Sequence, residues 1–129
     1  MKRHEIREKA LQVLFQLDNT DLTLEEAISH VFEENQELDP FFKKLVFGVH
    51  ENLRELDEKL KEKLENWSLY RLPKIERTVL RMALFELLYM DETPPAVVLD
   101  EAIELAKTFG EEKSNKFVNG VLSKFVEQS

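Results

Sequence analysis

The sequence predicts an all-α protein, a compact bundle of six to seven helices arranged as two packed helical halves. Apolar residues recur at intervals of three and four along almost the whole chain, a spacing typical of helices with one buried face. No segment shows the alternation expected of a strand. Three glycines and four prolines in 129 residues leave few positions at which a helix can end. Short connections between helices then favour a bundle.

Three helices are predicted in the first half of the chain. The first covers about residues 6–17, where apolar side chains follow helical spacing. A capping box, threonine followed three residues later by glutamate, opens a second helix over 23–34. The third is predicted as one long helix over 40–64, because Asp39 is an N-cap followed by proline. Gly48 lies inside it, as a bend or as a point of close helix packing.

The second half begins with a break in the helical pattern over 67–73. Residues 74–90 are apolar on almost every side, and a helix of that composition belongs at the centre of a bundle. A further helix is predicted over about 96–109, closed by Gly110. The last helix is predicted over about 113–127. We find no linker long enough to divide the chain and expect one domain over 1–129.

Composition excludes several classes of function. The chain has no cysteine, so it holds no disulfide, thiolate metal site or cysteine nucleophile. Its three histidines lie on different predicted elements without carboxylates at ligand spacing, and no glycine-rich phosphate loop follows a strand. We therefore expect a binding protein without metal, cofactor or enzymatic activity. No apolar run approaches the ~18 residues of a membrane span, and we expect a cytoplasmic protein.

The charge of the chain is unevenly distributed. The formal net charge is -8, but residues 1–17 carry four Lys or Arg against two Glu. Residues 18–65 carry six basic and fourteen acidic side chains and so hold the whole acidic excess. An approaching phosphate responds to charge within a Debye length of about 8–10 Å. The first segment is thus a local basic patch, or simply a solvated chain end.

The first predicted helix places three of its basic groups on its apolar side. Arg3, His4 and Arg7 fall on the same arc as the apolar residues, ahead of those that pack. An arginine there can lay its stem on apolar surface and offer its donors to a phosphate or a base edge. Phe15, at the margin of that arc, offers a stacking face. The alternatives are that Arg7 pairs with a carboxylate at the core edge and that Phe15 is packed.

The last predicted helix has a matching polar face. Lys116, Asn119, Gly120 and Ser123 share the side that does not face the core, and Lys113 lies near the start of the helix. Small and amide side chains beside lysines allow a phosphate backbone to come close. The alternative interpretation is an ordinary solvated face.

Several segments of the chain are distinctive when taken together. Residues 7–18 read REKALQVLFQLD, residues 45–57 read LVFGVHENLRELD, and residues 67–125 contain RLPKIER, DEAIELAK and KFVNGVL in that order. In these segments, and over nearly its whole length, the chain resembles the NusB family of bacterial transcription antitermination factors. The resemblance implies two small helical bundles packed together and a non-enzymatic role. It further implies binding of single-stranded boxA RNA jointly with the ribosomal protein NusE, within an RNA polymerase complex that reads through terminators in ribosomal RNA operons.

The resemblance also implies which residues bind RNA. The basic start of the family corresponds here to residues 2–7, although this sequence has His4, Glu5 and Ile6 where more arginine or small residues are common. Phe15 stands where tyrosine is common, and Ser123 stands where aspartate is frequent. The predicted RNA-binding set is Lys2, Arg3, His4, Arg7, Phe15, Lys113, Lys116, Asn119 and Ser123.

The same resemblance implies a surface for the protein partner at Glu86 and Tyr89. A carboxylate suits a basic ribosomal protein, but Glu86 lies in a nearly apolar helix, where a buried pair with an arginine is an equal alternative. With about three phosphate contacts on a single strand, the slope of log K against log salt would be only about -2. A partner protein would then supply the missing affinity.

Two other functions remain open at this point. The chain could be a helical adaptor that binds only protein, using its N-terminal cations on an acidic partner. It could also resemble the RNA-guiding module of ribosomal RNA methyltransferases, although no residues remain for a methyl-donor domain. The nearly all-apolar helices allow a homodimer without requiring one.

Overall fold

The computed structural model describes residues 1–66 and 68–126, and every regular element within them is helical. In chain order these elements are α1 (Arg3–Asn19), α2 (Leu24–Ser29), α3 (Pro40–Glu51), α4 (Leu53–Lys63), a 3-10 turn (Leu69–Arg71), α5 (Lys74–Tyr89), α6 (Pro95–Phe109) and α7 (Ser114–Val126). The predicted all-α fold is confirmed. Trp67, in the predicted break, and residue 127, the predicted end of the last helix, lie outside the described residues. Within the described residues, no helix has the length and apolar composition of a membrane span.

The central helix of the fold is α5, as its apolar composition predicts. Residues 76–86 are all buried. On one side α1, α3 and α4 pack against α5, with α2 lying on α1, and on the other side α6 and α7 pack against α5 and against each other. The two halves therefore share α5 as a common wall, and the buried apolar residues form one continuous cluster. That residues 1–129 form a single domain remains a prediction.

The prediction of one long third helix is wrong, because the structure has two helices with a break at Asn52. The backbone of Asn52 has φ -115° and ψ 21°, outside the helical range. Its side-chain amide donates to the carbonyl of Gly48 at 2.8 Å, the kind of local hydrogen bond that competes with helix continuation. Beyond this break, Leu56 and Leu60 of α4 are fully buried.

The second helix is shorter than predicted. Its capping box forms, with the hydroxyl of Thr23 accepting from the backbone of Glu26 at 3.1 Å. The helix then ends at Ser29 instead of near residue 34. The chain after it turns through Asn35, whose φ of 67° lies in the left-handed region, a conformation that asparagine tolerates better than most residues.

Gly48 provides the close helix packing considered from the sequence. A Cβ atom at this position would lie 2.1 Å from Cζ of Phe85, a buried ring of α5. The ring thus occupies the space that any other side chain on α3 would need. Gly110 follows the end of α6, as predicted, but it is an extended C-cap with φ -102° and ψ -162° and not a C′ glycine.

Gly48→Ala is expected to lower the free energy of unfolding by about 1–3 kcal/mol, because the added methyl overlaps the Phe85 ring. Gly120→Ala is the matched control. A Cβ there meets nothing within 4 Å, so this substitution should raise the free energy of unfolding by about 0.5–1 kcal/mol through helix propensity. Urea denaturation of both variants measures the difference. Equal effects would contradict the Gly48–Phe85 contact.

Candidate nucleic-acid interface

The first turn of α1 is shaped by Glu5, the acidic residue within the basic segment. The backbone N–H of Lys2 donates to the carboxylate of Glu5 at 3.4 Å, and the N–H of Ile6 donates to the carbonyl of Lys2 at 3.0 Å. A carboxylate in the first turn also complements the positive end of the helix dipole. Glu5 therefore stabilises the start of α1. Lys2, Arg3 and His4, at this start, are exposed to solvent.

Arg3 is an exposed guanidinium with a defined position. Its Cζ lies 4.1 Å from the centroid of the Phe41 ring, and that ring is buried at the start of α3. Within the described residues Arg3 has no carboxylate partner. A guanidinium stacked on a ring keeps its in-plane N–H donors available. Arg3 can therefore donate to a phosphate or a base edge without first breaking an ion pair.

The structure corrects the expectation that the Arg7 side chain is free for RNA. Arg7 is only 4% exposed. Its Nε donates to Oε1 of Glu86 at 3.1 Å, and its Nη1 donates to Oε1 of Glu101 at 3.2 Å. A guanidinium this deeply buried needs carboxylate partners to offset its lost hydration, and α5 and α6 supply them. Of the two interpretations of Arg7, the structure shows the pair at the core edge.

His4 lies between two carboxylates. Its Nε2 is 3.2 Å from Glu8 and its Nδ1 is 3.4 Å from Glu101, with the side chain 45% exposed. Glu101 on α6 therefore contacts both His4 and Arg7. These contacts fasten the first two turns of α1 to α6 and fix the direction in which the exposed cations point.

Phe15 is half-buried, and it is distant from the first turn. It lies twelve residues after Arg3 on the same helix, about 18 Å along the axis at 1.5 Å per residue. One nucleotide cannot contact both side chains. Stacking on Phe15 stays a prediction for a different part of an RNA strand.

The predicted residues of the last helix form a separate cluster. Lys113 precedes α7, Lys116 and Asn119 are exposed on it, and Ser123 is half-buried. The hydroxyl of Ser123 donates to Oδ1 of Asn119 at 3.5 Å. Across the described ranges, no hydrogen bond or ion pair joins this cluster to the first turn of α1, whose side chains reach α6 instead.

Of the two residues predicted to contact the protein partner, one is buried and the other is exposed. Glu86 is 3% exposed and holds Arg7, which corrects the expectation that its charge meets a partner directly. Tyr89 is exposed at the end of α5 and donates its hydroxyl to Glu55 of α4. That hydrogen bond raises the pKa of the Tyr89 phenol. Tyr89 alone remains accessible for the predicted role.

Sequence reasoning missed a second cluster of charges, buried except for the half-buried Asp18, which joins α1, α4 and α5. Arg77 donates to Asp18 at 2.7 Å, and Arg81 donates to Asp57 at 2.7 Å and to Asp18 at 3.1 Å. Burial opposes ionisation of Asp18, but hydrogen bonds and charge from Arg77 and Arg81 outweigh it and lower the pKa of Asp18. Arginines inside a nearly apolar helix are the signal that could have revealed such partners.

The described part of the chain contains no group of histidine and carboxylate side chains suited to a metal ion. Its candidate binding groups are exposed hydrogen-bond donors and positive charges, which lie at two sites on the surface. These are the first turn of α1 and the outer face of α7.

In the described part of the chain α1, α3, α4, α6 and α7 pack around a shared α5, and exposed cations lie at the start of α1. Comparison with known proteins places this architecture in the class of helical transcription antitermination proteins. The model of the NusB family matches residues 4–127, and the chain belongs to the NusB family. A relative from Lysinibacillus sphaericus (strain C3-41), the transcription antitermination protein NusB, is 67% identical over 128 residues, which is 99% of each chain.

Solved structures give the same result. The chain resembles the structure of T. maritima NusB with a TM-score of 0.87 and 36% identity, over 99% of this chain and 92% of that one. It also resembles a chain in a crystal structure of antitermination factors NusB and NusE in complex with double-stranded RNA. That match has a TM-score of 0.85 and 32% identity over 98% of each chain.

The free energy of unfolding is expected to fall in acid, and protonation of Asp18 is expected to cause part of that fall. Because its pKa in the folded protein lies below the ordinary value of 3.8, its contribution is complete above about that pH and is lost as the pH falls further. Asp18→Asn should therefore reduce the loss of unfolding free energy between pH 6 and pH 3, measured by urea denaturation at several pH values. Asp21→Asn, at an exposed position, should leave the pH dependence unchanged. Equal profiles for both variants would contradict the Asp18 cluster.

Arg7→Met is expected to lower the free energy of unfolding by about 3–5 kcal/mol, because it leaves Glu86 buried without its cation. Adding Glu86→Leu should restore much of that loss, since the buried carboxylate is then removed as well. Lys43→Met, on the exposed face of α3, should change stability by no more than about 0.5 kcal/mol. Thermal and urea unfolding of the three variants and the wild-type protein give the comparison. Arg7→Met behaving like Lys43→Met would show that the ion pair is absent in solution.

Proposed function

We propose that this protein is a non-enzymatic, cytoplasmic transcription antitermination factor. It binds boxA-type single-stranded RNA of ribosomal RNA operons together with the ribosomal protein NusE, and it joins the antitermination complex of RNA polymerase. Family membership supports the role. The likeness to a NusB chain crystallised with NusE and double-stranded RNA supports NusE and RNA as the two kinds of partner. Self-association remains a prediction.

The main support for RNA binding is the exposed, unpaired guanidinium of Arg3 in the described part of the chain. It is the exposed guanidinium of the first turn, held against Phe41 and without a carboxylate partner in the described residues. Lys2 beside it is exposed as well. Arg7, in contrast, has its donors occupied by Glu86 and Glu101. In this proposal Arg7 is a positioning residue, and the RNA contacts are made by its neighbours in the first turn.

The remaining contacts come from α7 and from the protein partner. The proposed RNA-binding set is now Lys2, Arg3 and His4 on α1, with Phe15 further along, and Lys113, Lys116, Asn119 and Ser123 at α7. A protein of net charge -8 with so few cations binds a single strand weakly by itself. A basic partner that contacts the exposed Tyr89 end of α5 adds charge and surface.

Replacing both Lys2 and Arg3 by alanine is expected to weaken RNA binding in the presence of NusE and to reduce the steepness of its salt dependence. Each lost phosphate contact on a single strand removes about 0.7 from the magnitude of the slope of log K against log salt. The double variant should therefore lower that magnitude by about 1.4. Fluorescence anisotropy with a labelled boxA-type RNA at several salt concentrations measures both quantities.

The matched control is the double variant Arg54→Ala and Lys61→Ala, which removes the same charge from exposed positions of α4. It should retain the wild-type slope. A duplex form of the same RNA tests the expected preference for a single strand. Binding of NusE with no RNA binding under any of these conditions would instead support the protein-only adaptor.

A further inference from the structure

A cleft opens between the C-terminal end of α4 and the outer face of α7. Its volume is about 250 Å³. Its charged lining comes from Lys63 at the end of α4, Glu65 just after it, and Lys116 and Lys124 on α7, with Gly120 between the two α7 lysines. We call it the α4–α7 cleft. Lys63, Gly120 and Lys124 are absent from the RNA-binding set proposed above.

The lining of the cleft is positive although the protein is acidic. Lys124 donates to the carbonyl of Lys63 at 3.0 Å and lies 3.5 Å from the carboxylate of Glu65. Lys124 thus ties the end of α4 to α7 and holds Lys63 on the wall opposite Lys116. In the ranges that the structure describes, neither Lys63 nor Lys116 has a carboxylate partner. Lys63, whose Nζ lies 5.9 Å from the centroid of the Phe125 ring, and Lys116 therefore line one cleft without a neutralising carboxylate of their own in the described part of the chain.

Gly120 leaves the α7 side of the cleft open. A glycine inside a helix costs about 1 kcal/mol relative to alanine, and close packing against a neighbour is the usual reason for one. A Cβ at Gly120 would meet nothing within 4 Å, so packing within the chain does not require this glycine. Its bare backbone instead deepens the cleft between the two lysines and lets an external group approach closely.

We infer that the α4–α7 cleft binds the phosphate backbone of the RNA strand, beyond the boxA-type element recognised at α1. This inference rests on the proposed function and extends it to residues that no contact set above includes. Ammonium groups of lysine bind phosphate as point charges, without reading sequence. The cleft therefore adds affinity for flanking RNA of any sequence and leaves recognition of the element unchanged.

The test compares two RNAs in the presence of NusE, one limited to the boxA-type element and one with unstructured flanks of about ten nucleotides on each side. Lys63→Ala should weaken binding of the flanked RNA severalfold and reduce its salt slope by about 0.7, with little effect on the short RNA. Lys61→Ala, an exposed α4 lysine outside the cleft, is the matched control and should affect neither.

Two further variants separate charge from shape. Glu65→Gln removes the carboxylate that lines the cleft and should tighten binding of the flanked RNA. Gly120→Gln fills the cleft without changing charge and should weaken it, whereas the smaller Gly120→Ala should weaken it less. Circular dichroism and urea denaturation confirm that each variant is folded, which is expected because these positions are not buried.

Each outcome bears on a different claim. If the short RNA binds but Lys63→Ala and Lys61→Ala behave alike on the flanked RNA, the cleft inference is wrong and the proposed function stands. If Glu65→Gln fails to tighten binding, the electrostatic argument is wrong. Occupancy by inorganic phosphate alone, without dependence on the flanks, would also overturn the inference. If neither RNA binds, the proposed function fails together with it.

Discussion

Arg7 is the side chain through which three helices are aligned. It extends from α1, and its guanidinium meets the buried Glu86 of α5 and the half-buried Glu101 of α6. Because each of these charges is costly to bury alone, the three helices are stable together only in an arrangement that brings the groups within hydrogen-bond distance. The exposed cations occupy the turn before Arg7, so their position follows from this pairing. Arg7, which the sequence suggested as an RNA contact, thus sets the position of the exposed cations in the preceding turn.

The other end of α1 is held by the same kind of contact. Asp18, near the end of the helix, receives hydrogen bonds from Arg77 and Arg81 of α5. α5 therefore contacts α1 near both ends through charged groups, while apolar side chains fill the space between them. Apolar packing tolerates small shifts of one helix along another, whereas paired buried charges do not, since a shift leaves them unsatisfied. The two charge clusters thereby specify one alignment of α1 on α5.

Helical periodicity was enough to predict α1, α5, α6 and α7, because each has a long apolar face bounded by polar or breaking residues. It could not reveal the break between α3 and α4, since apolar spacing continues across Asn52 and the break depends on a side-chain hydrogen bond. The helical wheel placed Arg7 correctly on the inner arc. It could not identify Glu86 and Glu101 as partners, because they are 79 and 94 residues away in the chain. The exposed state of Arg3 likewise depends on Phe41, a residue brought to it only by folding.

The sharing of α5 between the two halves has a consequence for how the molecule comes apart. Helices α1, α3 and α4 cover one side of α5, and α6 and α7 cover the other. If α5 leaves with either half, the half left behind loses the surface against which its apolar residues are buried. Partly unfolded forms that keep one half intact are thus unfavourable, and loss of structure is expected to be cooperative across the whole described chain. Severing the connection before α5 would yield an N-terminal fragment with exposed apolar surface, prone to aggregation instead of independent folding.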